Sequence, residues 1–187
     1  MSIKRTSLYS LIVLLTAAFT TILLLPASGG TLTTPIAAPA FTHTRTDDWL
    51  NSPPLNWKQL QGKVVLLDFW TFDCWNCYRS FPWLRSLESR LAPQGLQVVG
   101  VHTPEFDHEK VKKNILSKVE EFNLHHPIMI DNDFSYWRAM NNRYWPAFYI
   151  IDKKGDIRAA FVGETHENDK QAKKIESLIN TLLSESQ

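Results

Sequence analysis

The chain contains two cysteines, Cys74 and Cys77, separated by Trp75 and Asn76. They follow an apolar run, Val64 to Trp70, that is broken by a single acid, Asp68. Leu84, Leu87 and Leu91 come next at helical spacing, so the pair stands where a buried strand hands over to a helix N-terminus. Backbone N–H groups at such an end lack partners, and the helix dipole favours an anion there. A thiolate in that place is stabilised and its pKa falls. The spacing also lets the second thiol attack a mixed disulfide formed by the first. Two other uses of the motif stand beside this one. Zinc would need two more soft or imidazole ligands; the chain has no further cysteine, and its six histidines include one adjacent pair, His125 and His126. A purely structural bridge closing so short a loop would remove little entropy from the unfolded chain.

Elements that alternate between strand and helix surround the pair. Residues 64–70 are apolar on both sides, as in an interior strand covered on both faces. Residues 74–91 are expected to form the first main helix, kinked at Pro82. Residues 96–101 form a second strand. Residues 109–122 form an amphipathic helix with Val111, Ile115, Leu116, Val119 and Phe122 on one stripe. A short strand at 127–130 and a short helix at 134–140 follow. Strands at 147–151 and 157–162 are joined by a turn through Gly155, and a helix at 173–183 closes the domain. The order predicts a three-layer α/β domain whose central sheet is mixed, mostly parallel with one antiparallel edge.

The chain has 187 residues and a formal charge of +1. Lys4 and Arg5 carry the only charges before Arg45, so the rest is close to neutral and nothing points to a nucleic-acid partner. Residues 8–25, opening on Leu8 and closing on Leu25, are mostly apolar and uncharged. As a helix they would reach about 27 Å, just enough to cross a bilayer. Residues 1–28 are therefore expected to be a signal peptide, cleaved after Ala38-Pro39-Ala40, or an uncleaved membrane anchor. Both fates put the domain outside the cytoplasm, in an oxidising space. Residues 29–46, rich in Thr, Pro and Ala, are expected to be a flexible tether, and residues 47–187 the folded domain.

These residues resemble the thioredoxin superfamily, in its TlpA-like or redoxin-like extracytoplasmic branch. The resemblance rests on Asp68-Phe69-Trp70 before Cys74 and Cys77, on Pro82, and on Tyr144-Trp145-Pro146-Ala147 just ahead of a strand. Residues 141–163 are especially similar to the thioredoxin-like domains of DsbD/DipZ-type membrane proteins. The resemblance implies a thiol-disulfide oxidoreductase with Cys74 as nucleophile, Cys77 as resolving thiol, and Asp68 as proton carrier to Cys77. It also implies Glu105 as a second proton relay, and a cis peptide at Pro146. Trp75, Asn76, Tyr144, Trp145 and Pro146 would form the substrate-binding rim. No cofactor and no metal are implied. The implied partners are proteins bearing thiols or disulfides, and a membrane electron donor of the DsbD type; cytochrome c maturation is one such pathway. Two departures stand out. Thioredoxin has Gly-Pro where this chain has Trp75-Asn76, and Trp145 is bulkier than its counterparts. A peroxiredoxin-like thiol peroxidase and a module chaperoning a soft metal ion are the competing functions. Leu67 stands where the peroxiredoxin pattern has proline, although Thr71-x-x-Cys74 is present.

Overall fold

A computed structural model describes residues 30–186. The apolar run at 8–25, expected to export or anchor the chain, lies outside the described residues. Among the described residues no helix is long and apolar enough to cross a membrane.

The sheet has seven strands: β1 (Gly30–Ala37), β2 (Trp49–Leu50), β3 (Val64–Trp70), β4 (Leu96–His102), β5 (Ile128–Ile130), β6 (Ala147–Ile151) and β7 (Asp156–Val162). Their spatial order is β1-β7-β6-β3-β4-β5-β2. β3, β4 and β5 run parallel, while β6, β7, β1 and β2 each pair antiparallel. The expected mixed sheet is present, with more antiparallel strands than the one edge expected. The helices are α1 (Trp75–Leu91), α2 (Lys112–Glu121), α3 (Ser135–Ala139) and α4 (Lys170–Ser184).

β3 is central and every residue of it is buried. Alternation along the strand divides the core into two faces. Val64, Leu66 and Trp70 join Phe81, Leu84 and Leu87 of α1, Ile115 and Val119 of α2, and Ile175 and Ile179 of α4. Val65, Leu67 and Phe69 face the other way, onto Tyr136 of α3, Met140, and the N-terminal residues Phe41, Trp49 and Leu60. Burying each large apolar side chain of β3 stabilises the fold by roughly 1.5–3 kcal/mol. Together they far outweigh the cost of one acid among them.

The segment expected to be a tether is built into the sheet. β1 pairs with β7, and Ala38 and Phe41 are buried, with Phe41 stacked on Trp57 at 5.1 Å. β1 is an edge strand, and its register shifts between Thr31 and Ile36. An edge tolerates Pro35, which has no N–H to donate to a ladder. The amphipathic helix is also shorter than expected. A separate 3-10 turn, Asp107–Lys110, precedes α2, and Val111 and Leu116 are exposed while Ile115, Val119 and Phe122 are buried.

Gly100 of β4 lies opposite Asp68 of β3. A Cβ there would meet Trp70 Nε1 at 3.0 Å, Ile128 Cγ1 at 3.1 Å and His126 Nε2 at 3.2 Å. Gly100→Ala is therefore expected to destabilise the domain by about 1–3 kcal/mol through overpacking, measured by urea unfolding of the oxidised protein.

Candidate active site

β3 ends at Trp70, and a short loop, Thr71 to Asp73, carries the chain to Cys74, the N-cap of α1. Cys74 is half-buried and Cys77 is buried, one turn into the helix. The two form a disulfide with their Cα atoms 5.2 Å apart. The Cys77 N–H donates to Cys74 Sγ at 3.1 Å. The first sulfur of the pair thus occupies the position where a side-chain oxygen caps an ordinary helix. A thiolate at Cys74 would accept the same bond with a full charge, which strengthens it. Cys74 is the more exposed of the two cysteines.

Asp68 alternates with Leu66 and Trp70, so it points into the face of the core that holds Cys77. Its side chain is buried, and neither carboxylate oxygen has a hydrogen-bond partner. Burial alone pushes its pKa up to about 8. With no base to pair with, the carboxyl is neutral below that pH, because an unpaired buried charge is far costlier than a buried acid.

The Trp145-Pro146 peptide is cis. Pro146 is buried and its carbonyl accepts from the Gly163 N–H at 2.9 Å. The Trp145 indole turns back into the protein: Nε1 donates to the Thr103 carbonyl at 3.0 Å, and the ring lies 4.2 Å from Trp137. Its ring is thereby tied down, while Tyr144 beside it is exposed. Trp75 is the most exposed large apolar side chain among the described residues and stacks on Tyr78 at 5.4 Å. Asn76 is also exposed. A cavity of about 370 Å³ opens beside Cys74, lined by Phe72, Trp75, Tyr78 and Phe122 with Lys118 and Glu121 at its rim.

Glu105 lies just past the end of β4, as its place in the sequence suggests. It is exposed, and the structure gives the buried position near the loop to Glu109. Proline at 104 and the turn that follows aim Glu105 at solvent and swing Glu109 inward. Glu109 accepts from the Thr71 hydroxyl and from the Asp73, Glu105 and Phe106 N–H groups. His102 is buried with it, its Nε2 3.4 Å from the Thr71 hydroxyl. Desolvation pulls the His102 pKa down to about 4, against the attraction of Glu109, so the ring is neutral.

A Redoxin family model matches residues 36–179. The chain belongs to the Redoxin family. It is 40% identical over 141 residues to Protein DipZ of Mycobacterium tuberculosis, covering 74% of this chain but 20% of that protein. It is 28% identical over 139 residues to the thiol-disulfide oxidoreductase YkuV of Bacillus subtilis, 74% of this chain and 90% of that one. The solved structure of a DsbF homologue from Corynebacterium diphtheriae superposes with a TM-score of 0.68 at 17% identity, covering 83% of this chain and 93% of that one. That last likeness shows the fold. A Cys-x-x-Cys disulfide at this strand–helix junction of a thioredoxin-like fold is a thiol-disulfide oxidoreductase site, and the redoxin domain is a redox enzyme.

The raised pKa of Asp68 has a consequence for stability. The folded state holds this proton up to about pH 8, while the unfolded chain releases it near the ordinary carboxylate value of 3.8. Between those two values the native state binds more protons, so Asp68 costs stability progressively as pH rises, and costs nothing extra below pH 3.8. Asp68→Asn is expected to stabilise the oxidised domain by a few kcal/mol at pH 8 and by much less at pH 4. Urea unfolding at the two pH values checks this; an equal effect at both would remove the titration argument.

Proposed function

We propose that this domain is a reductant of protein disulfides outside the cytoplasm, recharged by a membrane dithiol donor of the DsbD type. The observation that carries the reading is the half-exposed Cys74 beside a cavity lined by four aromatic rings and by Asp73, Lys118 and Glu121, with Cys77 buried one turn further into the helix. Aromatic surfaces of this kind suit protein partners rather than small polar disulfides. In the reaction the Cys74 thiolate attacks one sulfur of the partner disulfide, and the other partner sulfur leaves as a thiolate and takes a proton. Cys77 then gives its proton to Asp68 in its ionised form, the minor form below about pH 8, and attacks Cys74 Sγ; the second partner sulfur leaves as a thiolate and takes a proton from solvent. Two electrons pass to the partner, and the protein is left with the Cys74–Cys77 disulfide. The Asp68 pKa of about 8 lies near that of an ordinary thiol, about 8.5, so the transfer is close to balanced. Backbone of the Trp145-Pro146 segment would hold the partner strand by strand addition, with Trp75, Asn76 and Tyr144 at the rim.

The apolar run at 8–25, preceded by Lys4 and Arg5, supports export or anchoring, with the domain on the outer face. The similarity to DipZ, of which the chain spans about a fifth, supports work alongside a membrane electron carrier. The cysteines of proteins that receive haem covalently are one substrate class of this kind. The peroxidase alternative is not favoured at Thr71, whose hydroxyl is engaged by Glu109 and His102.

Cys77→Ser is expected to accumulate a covalent adduct with oxidised protein substrates such as insulin, reversible by dithiothreitol, while Cys74→Ser gives none. Non-reducing electrophoresis reads both. An absence of adduct, together with stoichiometric Cu(I) binding by the reduced wild type, would replace this reading with a metal-carrier role.

A further inference from the structure

The three-residue loop between β3 and α1 carries Cys74. Phe72 packs on His102 and Asp73 meets His108, but one side chain bonds both ends of the loop. Glu109 is fully buried, and each of its oxygens ties down a different segment. Oε1 accepts from the Thr71 hydroxyl and from the Asp73 N–H at 3.0 Å. Oε2 accepts from the Glu105 N–H at 2.6 Å and from the Phe106 N–H at 2.7 Å. The carboxylate therefore clamps the loop that ends at the nucleophile to the loop that leaves β4.

We propose that Glu109 is the positioning residue of this active site: it fixes the Thr71–Asp73 loop under Cys74, and its buried charge weakens the Cys74 thiolate. Burial would favour the neutral acid, but the bonds from Thr71, Asp73, Phe106 and Glu105 outweigh it and hold Glu109 below the ordinary carboxylate range, so the charge is permanent at working pH. A buried charge bonded to the backbone of Asp73, the residue before the nucleophile, opposes the stabilisation that the Cys77 N–H and the helix end supply. Of the other charged groups near Cys74, Lys118 and Glu121 pair with each other at 2.8 Å, and Asp73 is exposed to solvent with His108 at 2.5 Å. His102 is neutral, and Asp68 is neutral below about pH 8. Glu109 is the buried anion of the set, and its four partners are neutral donors. A destabilised thiolate destabilises the reduced form, which makes the pair a better electron donor. The inference deepens the disulfide-reductant reading and rests on it for its meaning.

The test is the pH dependence of Cys74 alkylation by iodoacetamide in the reduced full chain; Cys77 is buried, so the fast phase reports Cys74. Glu109→Gln is expected to lower the apparent pKa by about one pH unit. At a pH below both values alkylation should then be about threefold faster, since tenfold more thiolate is partly offset by its weaker nucleophilicity. Glu109→Asp keeps the charge but is too short to span both loops, so it should lower thermal stability without lowering that pKa. A folded Glu109→Gln with the wild-type profile overturns the proposal, as does a Glu109→Asp that shifts the profile equally, which would make the residue structural only. If Glu109→Gln does not fold, Thr71→Val removes one donor and leaves the charge less compensated; the profile should move to higher pH, and an unmoved one overturns the proposal. Alkylation reads the thiol directly, so these outcomes are separate from any failure of exchange with protein substrates.

Discussion

Burial of β3 on both faces constrains everything at its end. A strand with no exposed residue cannot shift register without moving apolar side chains out of one core and into the other. Its C-terminal end is therefore a fixed point, and Cys74 is delivered a few residues beyond it. The same burial makes Asp68 a neutral acid at neutral pH, because water cannot reach it and no base lies against it. Fixed geometry and a shifted acid thus arise from one cause. The apolar neighbours that fix the strand also raise the pKa of the carboxyl on the same face as Cys77.

Two carboxyl groups in the same small region are held in opposite states by their surroundings. Asp68 has no donors and keeps its proton; Glu109 has four and gives its proton up. Desolvation acts on both, and the hydrogen bonds decide the outcome. An acid that titrates near a thiol pKa and a permanent anion beside the loop suit different uses. The first is the proposed proton carrier of the exchange, and the second is the proposed brake on the resting thiolate.

Much of this was legible in the chain itself. The apolar run broken by Asp68, the Cys74–Cys77 spacing and the Trp145-Pro146 pair ahead of a strand mark the site, because each reports on local backbone. Strand β6, Ala147–Ile151, has the bounds its apolar run suggests. What was hidden depended on contacts between distant segments. Glu109 lies 38 residues from Thr71, and in the sequence it looks like the exposed start of an amphipathic helix. The local signal was half of a capping box: an acid three residues after Phe106, able to reach back to that N–H. Glu105 attracted the reading instead because it stands nearer the end of β4. Residues 29–46 misled in the same way. Their Thr, Pro and Ala content reads as a tether, but Phe41 finds Trp49, Trp57 and Tyr136 only once the sheet is assembled.

If burial and charge around Cys74 and Cys77 make the pair an electron donor, the reduction potential of that couple shows it, measured by equilibrating the wild-type protein with glutathione or dithiothreitol and quantifying the free thiols. The expected value is near or below roughly −250 mV, in the range of thioredoxin. A value near roughly −120 mV would mean that the Cys74 thiolate is strongly stabilised and that the protein is an oxidant, contradicting the direction of electron flow proposed for it.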